Sequence, residues 1–109
     1  MKFSKYKRII IKVGSAVIAR PDGKVNHKIL SAICNDILWL RNRKIQVLLV
    51  SSGAISLGRK NIMLPNTLRL SESQALASHG QIELMAAWKK HFNNHSINIG
   101  QMLLTPAEL

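Results

Sequence analysis

Arg8-Ile9-Ile10-Ile11-Lys12-Val13-Gly14-Ser15 sets one lysine among four β-branched residues and closes on Gly-Ser. A continuous β-branched run reads as a strand buried on both faces, typical of a parallel sheet covered by helices. Lys12 interrupts that run, and an ammonium there needs an anion or an open cleft within reach. Gly14-Ser15 would let the backbone approach such an anion closely, as phosphate-binding turns do. The plain alternative is a strand-edge lysine whose stem packs while its head reaches water.

Working outward, Ile45-Gln46-Val47-Leu48-Leu49-Val50 is a second buried strand, and it runs directly into Ser51-Ser52-Gly53-Ala54. Between the two strands, Asn26 can cap a helix whose last turns carry Arg41, Arg43 and Lys44, favourable charges at a C-terminus. Ile29, Ile33, Ile37 and Leu40 recur at helical spacing, with Leu30, Cys34 and Leu38 beside them, a face wide enough to cover a sheet. Cys34 reads as core, since nothing near it in sequence would activate its thiol. Strand, helix, strand at this length argues for parallel neighbours in a right-handed βαβ unit. Ligands of such sheets gather at the carboxyl ends of the strands. Gly14-Ser15 and Ser51-Ser52-Gly53 fall at two such ends, so adjacent strands would turn both toward one cleft. Ser52 could donate its hydroxyl there; helix capping without a ligand is the alternative for the serines.

The remaining pieces frame this unit. Arg20-Pro21-Asp22-Gly23-Lys24 is a surface turn, with proline presetting φ and glycine taking the left-handed position. Residues 54–60 read as a short helix, 61–68 as a loop containing Pro65, and 71–93 as a long helix. Leu84, Trp88 and Phe92 form the apolar stripe of that long helix, thickened by Ala75, Ile82 and Met85. Gly80 in its interior implies the close approach of another backbone or a ligand. His79 reads as a surface histidine or a proton shuttle, and the four histidines show no metal-ligand spacing, so no metal site is expected. Residues 97–104 are a third strand candidate.

Composition bounds the function. The chain has 109 residues, 47% of them hydrophobic, enough for one domain with a real core. Its net charge of +11 comes from 16 Lys and Arg against five acids, and makes a small basic nucleic-acid-binding protein one alternative. The charges are scattered in small groups, without zinc-finger spacing, RNA-recognition aromatics or a basic-region heptad. Lys12 and Gly14-Ser15 break what superficially mimics a secretory signal, and no apolar run approaches the ~18 residues of a membrane helix. A lone Cys34 fits a reducing compartment, so a soluble, cytoplasmic protein is expected.

The motifs Ile-Lys-Val-Gly-Ser (11 to 15), Val-Ser-Ser-Gly-Ala-Ile (50 to 55), Gly58-Arg59, Gly80-Gln81 and Gly100-Gln101-Met102-Leu103-Leu104-Thr105 carry a resemblance. The chain resembles the N-terminal, substrate-side part of the amino acid kinase family, most closely its glutamate-phosphorylating branch. The resemblance implies an α/β fold, a three-layer α-β-α arrangement with a mainly parallel sheet, here incomplete because the C-terminal nucleotide half is absent from residues 1–109. It implies ATP-dependent phosphorylation of the L-glutamate γ-carboxylate, the first step toward proline, with Mg2+ accompanying the nucleotide. Lys12 matches the catalytic lysine that contacts the ATP phosphates, Gly14 and Ser15 the adjoining phosphate turn, and Ser52, Gly53 and Ala54 the glutamate-binding loop. Ala16, His79 and Thr105-Pro106 depart from the family's usual residues. A separate C-terminal kinase fragment or a second copy of the chain is the macromolecular partner this implies. A non-catalytic remnant is a further alternative, because a truncated or split form lacks the second lysine and the acidic groups that complete such a site.

Overall fold

The computed structural model describes residues 7–52, 54–59 and 69–101. In chain order they form strand β1 (Arg8–Val13), a single helical turn α1 (Ser15–Ile18), helix α2 (His27–Arg41), strand β2 (Gln46–Ser51), the short helix α3 (Ala54–Arg59) and the long helix α4 (Leu70–Asn93). β1 and β2 pair in parallel, with Ile9 level with Val47, Ile11 with Leu49 and Val13 with Ser51. A parallel pair needs a crossover, and α2 supplies it. The α/β reading therefore holds.

Local chemistry fixes each boundary. The Asn26 side chain accepts the Ile29 N–H at 3.3 Å and so caps α2. At the start of α4 the Glu72 carboxylate accepts the Arg69 N–H at 3.1 Å, taking up one orphan donor of the first turn. The Pro21-Asp22-Gly23 turn forms as expected: Gly23 has φ of 80°, and Asp22 Oδ1 accepts the Lys24 N–H at 3.0 Å. An antiparallel bridge between Ala19 and Val25 closes this small hairpin.

The core lies where α2 and α4 meet the sheet. Leu30, Cys34 and Ile37 from α2 are buried together with Leu84, Ala87, Trp88 and Phe92 from α4, and Ile11, Val47 and Leu49 pack against them. The expectation that β1 is buried on both faces is met on one face only. Ile10 is 69% exposed and its neighbour in register, Leu48, 51%. The described residues thus form two of the three expected layers, sheet and one helical layer.

The α4 stripe also needs correction. Leu84, Trp88 and Phe92 are buried, but Ala75 is exposed and Ile82 is 76% exposed. Ile82 lies two residues from Leu84, which puts it about 200° around the helix, on the opposite face. Leu76, Ala87 and His91 take the places that sequence reasoning gave to Ala75 and Ile82. Gly80 does permit the close approach of a backbone. A Cβ there would run into the Ala54 carbonyl oxygen and lie 2.6 Å from the Gly58 nitrogen, while a Cβ at Gly58 would run into the Leu76 carbonyl oxygen. The two glycines let α3 and α4 touch backbone to backbone.

Residues 97–101 carry no strand pairing; they border a groove of about 320 Å³ whose other walls include Val47 and Leu49 of β2 and Trp88 of α4. The rest of the predicted third strand, the predicted loop 61–68, Lys60, Thr105-Pro106 and Gly53 lie outside the described residues. Among the described residues no helix is long and apolar enough to cross a membrane.

Candidate functional site at the strand ends

The pleat decides which side chains of β1 are available. Ile9, Ile11 and Val13 face the helices, so Lys12 falls on the opposite face, level with Val50 and exposed to solvent. Past the last paired residues the ladder continues by one bond, from the Ser52 N–H to the Val13 carbonyl at 3.0 Å. That bond brings the Gly14-Ser15 turn and the Ser52 turn side by side, the convergence expected from two parallel strand ends. Gly14 has φ of −78° and ψ of 161°, ordinary extended backbone, and a Cβ on it would meet nothing within 4 Å. Its value to the site is open space rather than an unusual conformation.

The two serines after β2 are not equivalent. Ser51 is half-buried, and its Oγ accepts the Trp88 indole N–H at 3.0 Å, tying the end of β2 to α4. Ser52 is exposed. Ala54 opens α3 and is packed against the core, whereas Gly53, which the sequence pairs with it, lies outside the described residues.

A cleft of about 650 Å³ opens beside these turns. Ser15 lines it from the turn after β1, Arg20 and Asp22 from the hairpin, and Ser56 and Arg59 from α3. Arg20 Nη2 and Asp22 Oδ2 are 3.2 Å apart. Lys12, Gly14 and Ser52 are not part of this lining. Sequence reasoning missed Arg20, Ser56 and Arg59 as a group. Residues 56 and 59 are three apart on one helix and so share a face, which was legible; that the hairpin folds over toward them was not.

Among the described residues, two titratable groups sit in the core behind the strands. Cys34 is fully buried, and burial pushes its thiol up to about 11, which leaves it neutral and unreactive. His91 on α4 is also buried, and its Nε2 lies 2.9 Å from Nδ1 of His27 at the start of α2. Burial lowers the His91 pKa below its ordinary 6.5, and the charges of His27 and Lys90 push the same way. One imidazole donates and the other accepts, a pairing across 64 residues that no local spacing signals. His79 is exposed on α4.

Residues 7–109 match the amino acid kinase family. The chain belongs to that family. A glutamate 5-kinase of Allorhizobium ampelinum is 48% identical over 103 residues, covering 94% of this chain and 26% of that enzyme. Glutamate 5-kinase 1 of Rhizobium meliloti is 46% identical over 101 residues, 92% of this chain and 26% of its own. The glutamate 5-kinase of Nitrobacter hamburgensis is 44% identical over 107 residues, 96% of this chain and 28% of its own. This amino acid kinase chain thus spans about a quarter of the length of the curated relatives it matches.

Proposed function

We propose that this chain is the substrate-side portion of a glutamate 5-kinase, acting in ATP-dependent phosphorylation of L-glutamate to glutamyl 5-phosphate. The observation that carries the reading is identity of 42–48% to enzymes of that name over nearly the whole chain. In the reaction a γ-carboxylate oxygen of glutamate forms a bond to the γ-phosphorus of ATP while the bond to ADP breaks. Phosphoryl transfer needs little covalent help; it needs positioned charge around the transferring oxygens. Lys12, with Gly14 and Ser15, is assigned to the ATP phosphates, and Ser52, with Gly53 and Ala54, to glutamate. The bond from Ser52 to Val13 supports this division, because it sets the two turns side by side, where two bound substrates can come into reacting distance.

Mg2+ supplies further charge neutralisation at the phosphate oxygens when bound. Among the described residues no group of three or more His, Cys, Asp or Glu could hold an ion. On the assignment above, Lys12 adds a fixed positive charge from this chain. One lysine is a small share of the charge that such a transition state requires. Turnover is therefore expected only with the remaining part of a kinase domain, whether covalently continuous, supplied as a separate fragment, or contributed within a homo-oligomer. A lone, buried Cys34 fits work in a reducing compartment such as the cytoplasm.

The test is glutamate-dependent acyl phosphate formation with ATP and Mg2+, trapped by hydroxylamine. The expected result is no hydroxamate from the chain alone and a signal when the C-terminal portion of a relative is added, abolished by Lys12→Ala. A signal indifferent to Lys12→Ala, or none with the two portions stably associated, overturns the assignment. A Lys12-dependent signal from the chain alone would keep the kinase reading and refute the need for a second portion.

A further inference from the structure

We propose that the cleft between the 19–25 hairpin and α3 binds the oxyanion of a small acidic ligand, a carboxylate or phosphate group, through Arg59 and Arg20 assisted by the Ser15 and Ser56 hydroxyls. Apart from Ser15, none of these residues belongs to the set assigned above to ATP or glutamate.

The walls are built rather than incidental. Ser56 and Arg59 stand three residues apart on α3, whose backbone is locked against α4 through Gly58 and Gly80. Arg20 stands on a closed hairpin: its N–H donates to the Lys24 carbonyl at 2.8 Å, and its carbonyl accepts the Gly23 N–H at 2.9 Å. Each guanidinium carries five N–H donors in a fixed fork, which matches carboxylate and phosphate oxygens, and each hydroxyl can donate once more. The volume of about 650 Å³ is that of a small-molecule site. By contrast, the groove beside β2 is walled by Leu84, Trp88 and Ile97, and among the described residues Arg41 is the cation that lines it.

Asp22 is the counter-argument and also the handle. It lines the cleft and already holds Arg20 at 3.2 Å, so an incoming anion competes with it. Asp22→Asn removes that competing charge, while the amide oxygen can still accept the Lys24 N–H that closes the turn. Anion binding through Arg20 and Arg59 therefore makes a paired prediction: one substitution weakens the site and the other strengthens it.

The experiment is a residue-resolved NMR titration of the 15N-labelled chain with inorganic phosphate and, separately, with L-glutamate. Shifts are expected at Ser15, Gly23, Ser56 and Arg59. Arg59→Gln should weaken binding about tenfold, the usual worth of a charge-assisted hydrogen-bonded pair. Asp22→Asn should tighten it severalfold. Response to phosphate alone identifies a phosphate site, and response to glutamate alone a carboxylate site; either upholds the proposal. Shifts spread over Arg8, Arg41, Arg43, Lys89 and Lys90, or affinities unmoved by both substitutions, overturn it. If Arg59→Gln loses its dispersed spectrum, Asp22→Asn, on an exposed turn, decides alone. Failure of the hydroxylamine assay does not bear on this result, since the readout is binding at named residues.

Discussion

Replacing Gly80 by alanine sets two known effects against each other, and the structure decides between them. In a helix interior alanine is favoured over glycine by about 1 kcal/mol, so propensity alone predicts a more stable chain. The added methyl, however, would overlap the Ala54 carbonyl oxygen and stand 2.6 Å from the Gly58 nitrogen. Both are backbone atoms of α3, so no side chain can rotate away; α3 itself must move. Overpacking of this kind costs about 1–3 kcal/mol, and a backbone obstacle belongs at the upper end. The net expectation is destabilisation by about 1–2 kcal/mol, or a fall in Tm of roughly 4–15 °C for a domain near this size. Thermal and urea unfolding of the 109-residue chain followed by circular dichroism would measure it. Gly14→Ala is the control, because its methyl meets nothing within 4 Å and its φ of −78° suits any residue. That variant should unfold within about 0.5 kcal/mol of the parent. A Gly80→Ala chain more stable than the parent would refute the backbone contact between α3 and α4.

Two further expectations concern the buried titratable groups. His91 has its pKa lowered below 6.5 by burial, so the unfolded chain binds more protons than the folded one in that range. Stability is then fully present above about pH 6.5 and declines as the pH falls below it. Urea midpoints at pH 7.5 and 5.5 should show that decline, and His91→Leu should flatten it; an unchanged slope would remove His91 as its source. Cys34, fully buried with its thiol raised to about 11, should react with a disulfide reagent only as the chain opens. Labelling at pH 8 is expected to be slow in buffer and rapid in denaturant, and fast labelling of the native chain would contradict the packing of α2 against α4.

Much of the fold was legible because its signals are local. The Asn26 cap, the Pro-Asp-Gly turn and the apolar face of α2 each depend on residues within a few positions; the first two form as read, and the α2 face is centred on Leu30, Cys34, Ile37 and Leu40, with Ile29 and Ile33 half-buried at its side. The parallel pairing followed from the length of the crossover. What escaped was tertiary. The register of the α4 stripe could be set by Leu84 and Trp88 or pulled wider by Ile82, and only contact with the sheet fixes which face is inside. The histidine pair joins residues 27 and 91, and Ser51 meets Trp88 across 37 positions. The strand-end convergence was foreseeable from topology, whereas Arg20 reaches the cleft and Arg59 of α3 from a hairpin whose direction no periodicity encodes.

The lysine in the first strand shows how pleat and burial settle a question that composition left open. An ammonium among four β-branched residues looks costly only if all of them share one environment. They do not: Ile9, Ile11 and Val13 face the helices, and Lys12 falls out of phase with them, beside Ile10 on the open face. The snorkelling alternative and the anion alternative therefore both begin from an exposed lysine, and burial cannot choose between them. The same phase that frees Lys12 leaves Ile10, Leu48 and Val50 partly in water, and covering them recovers roughly half of the about 1.5–3 kcal/mol that full burial of such a side chain is worth. Any element that covers them approaches Lys12 as well. It must then either stop short of the strand end, leaving the ammonium at an open rim, or bring an anion to meet it. On the function proposed above, the nucleotide phosphates are the anion that would meet the second condition. The exposed apolar face and the lysine set among its residues are thus one requirement, which the chain states twice.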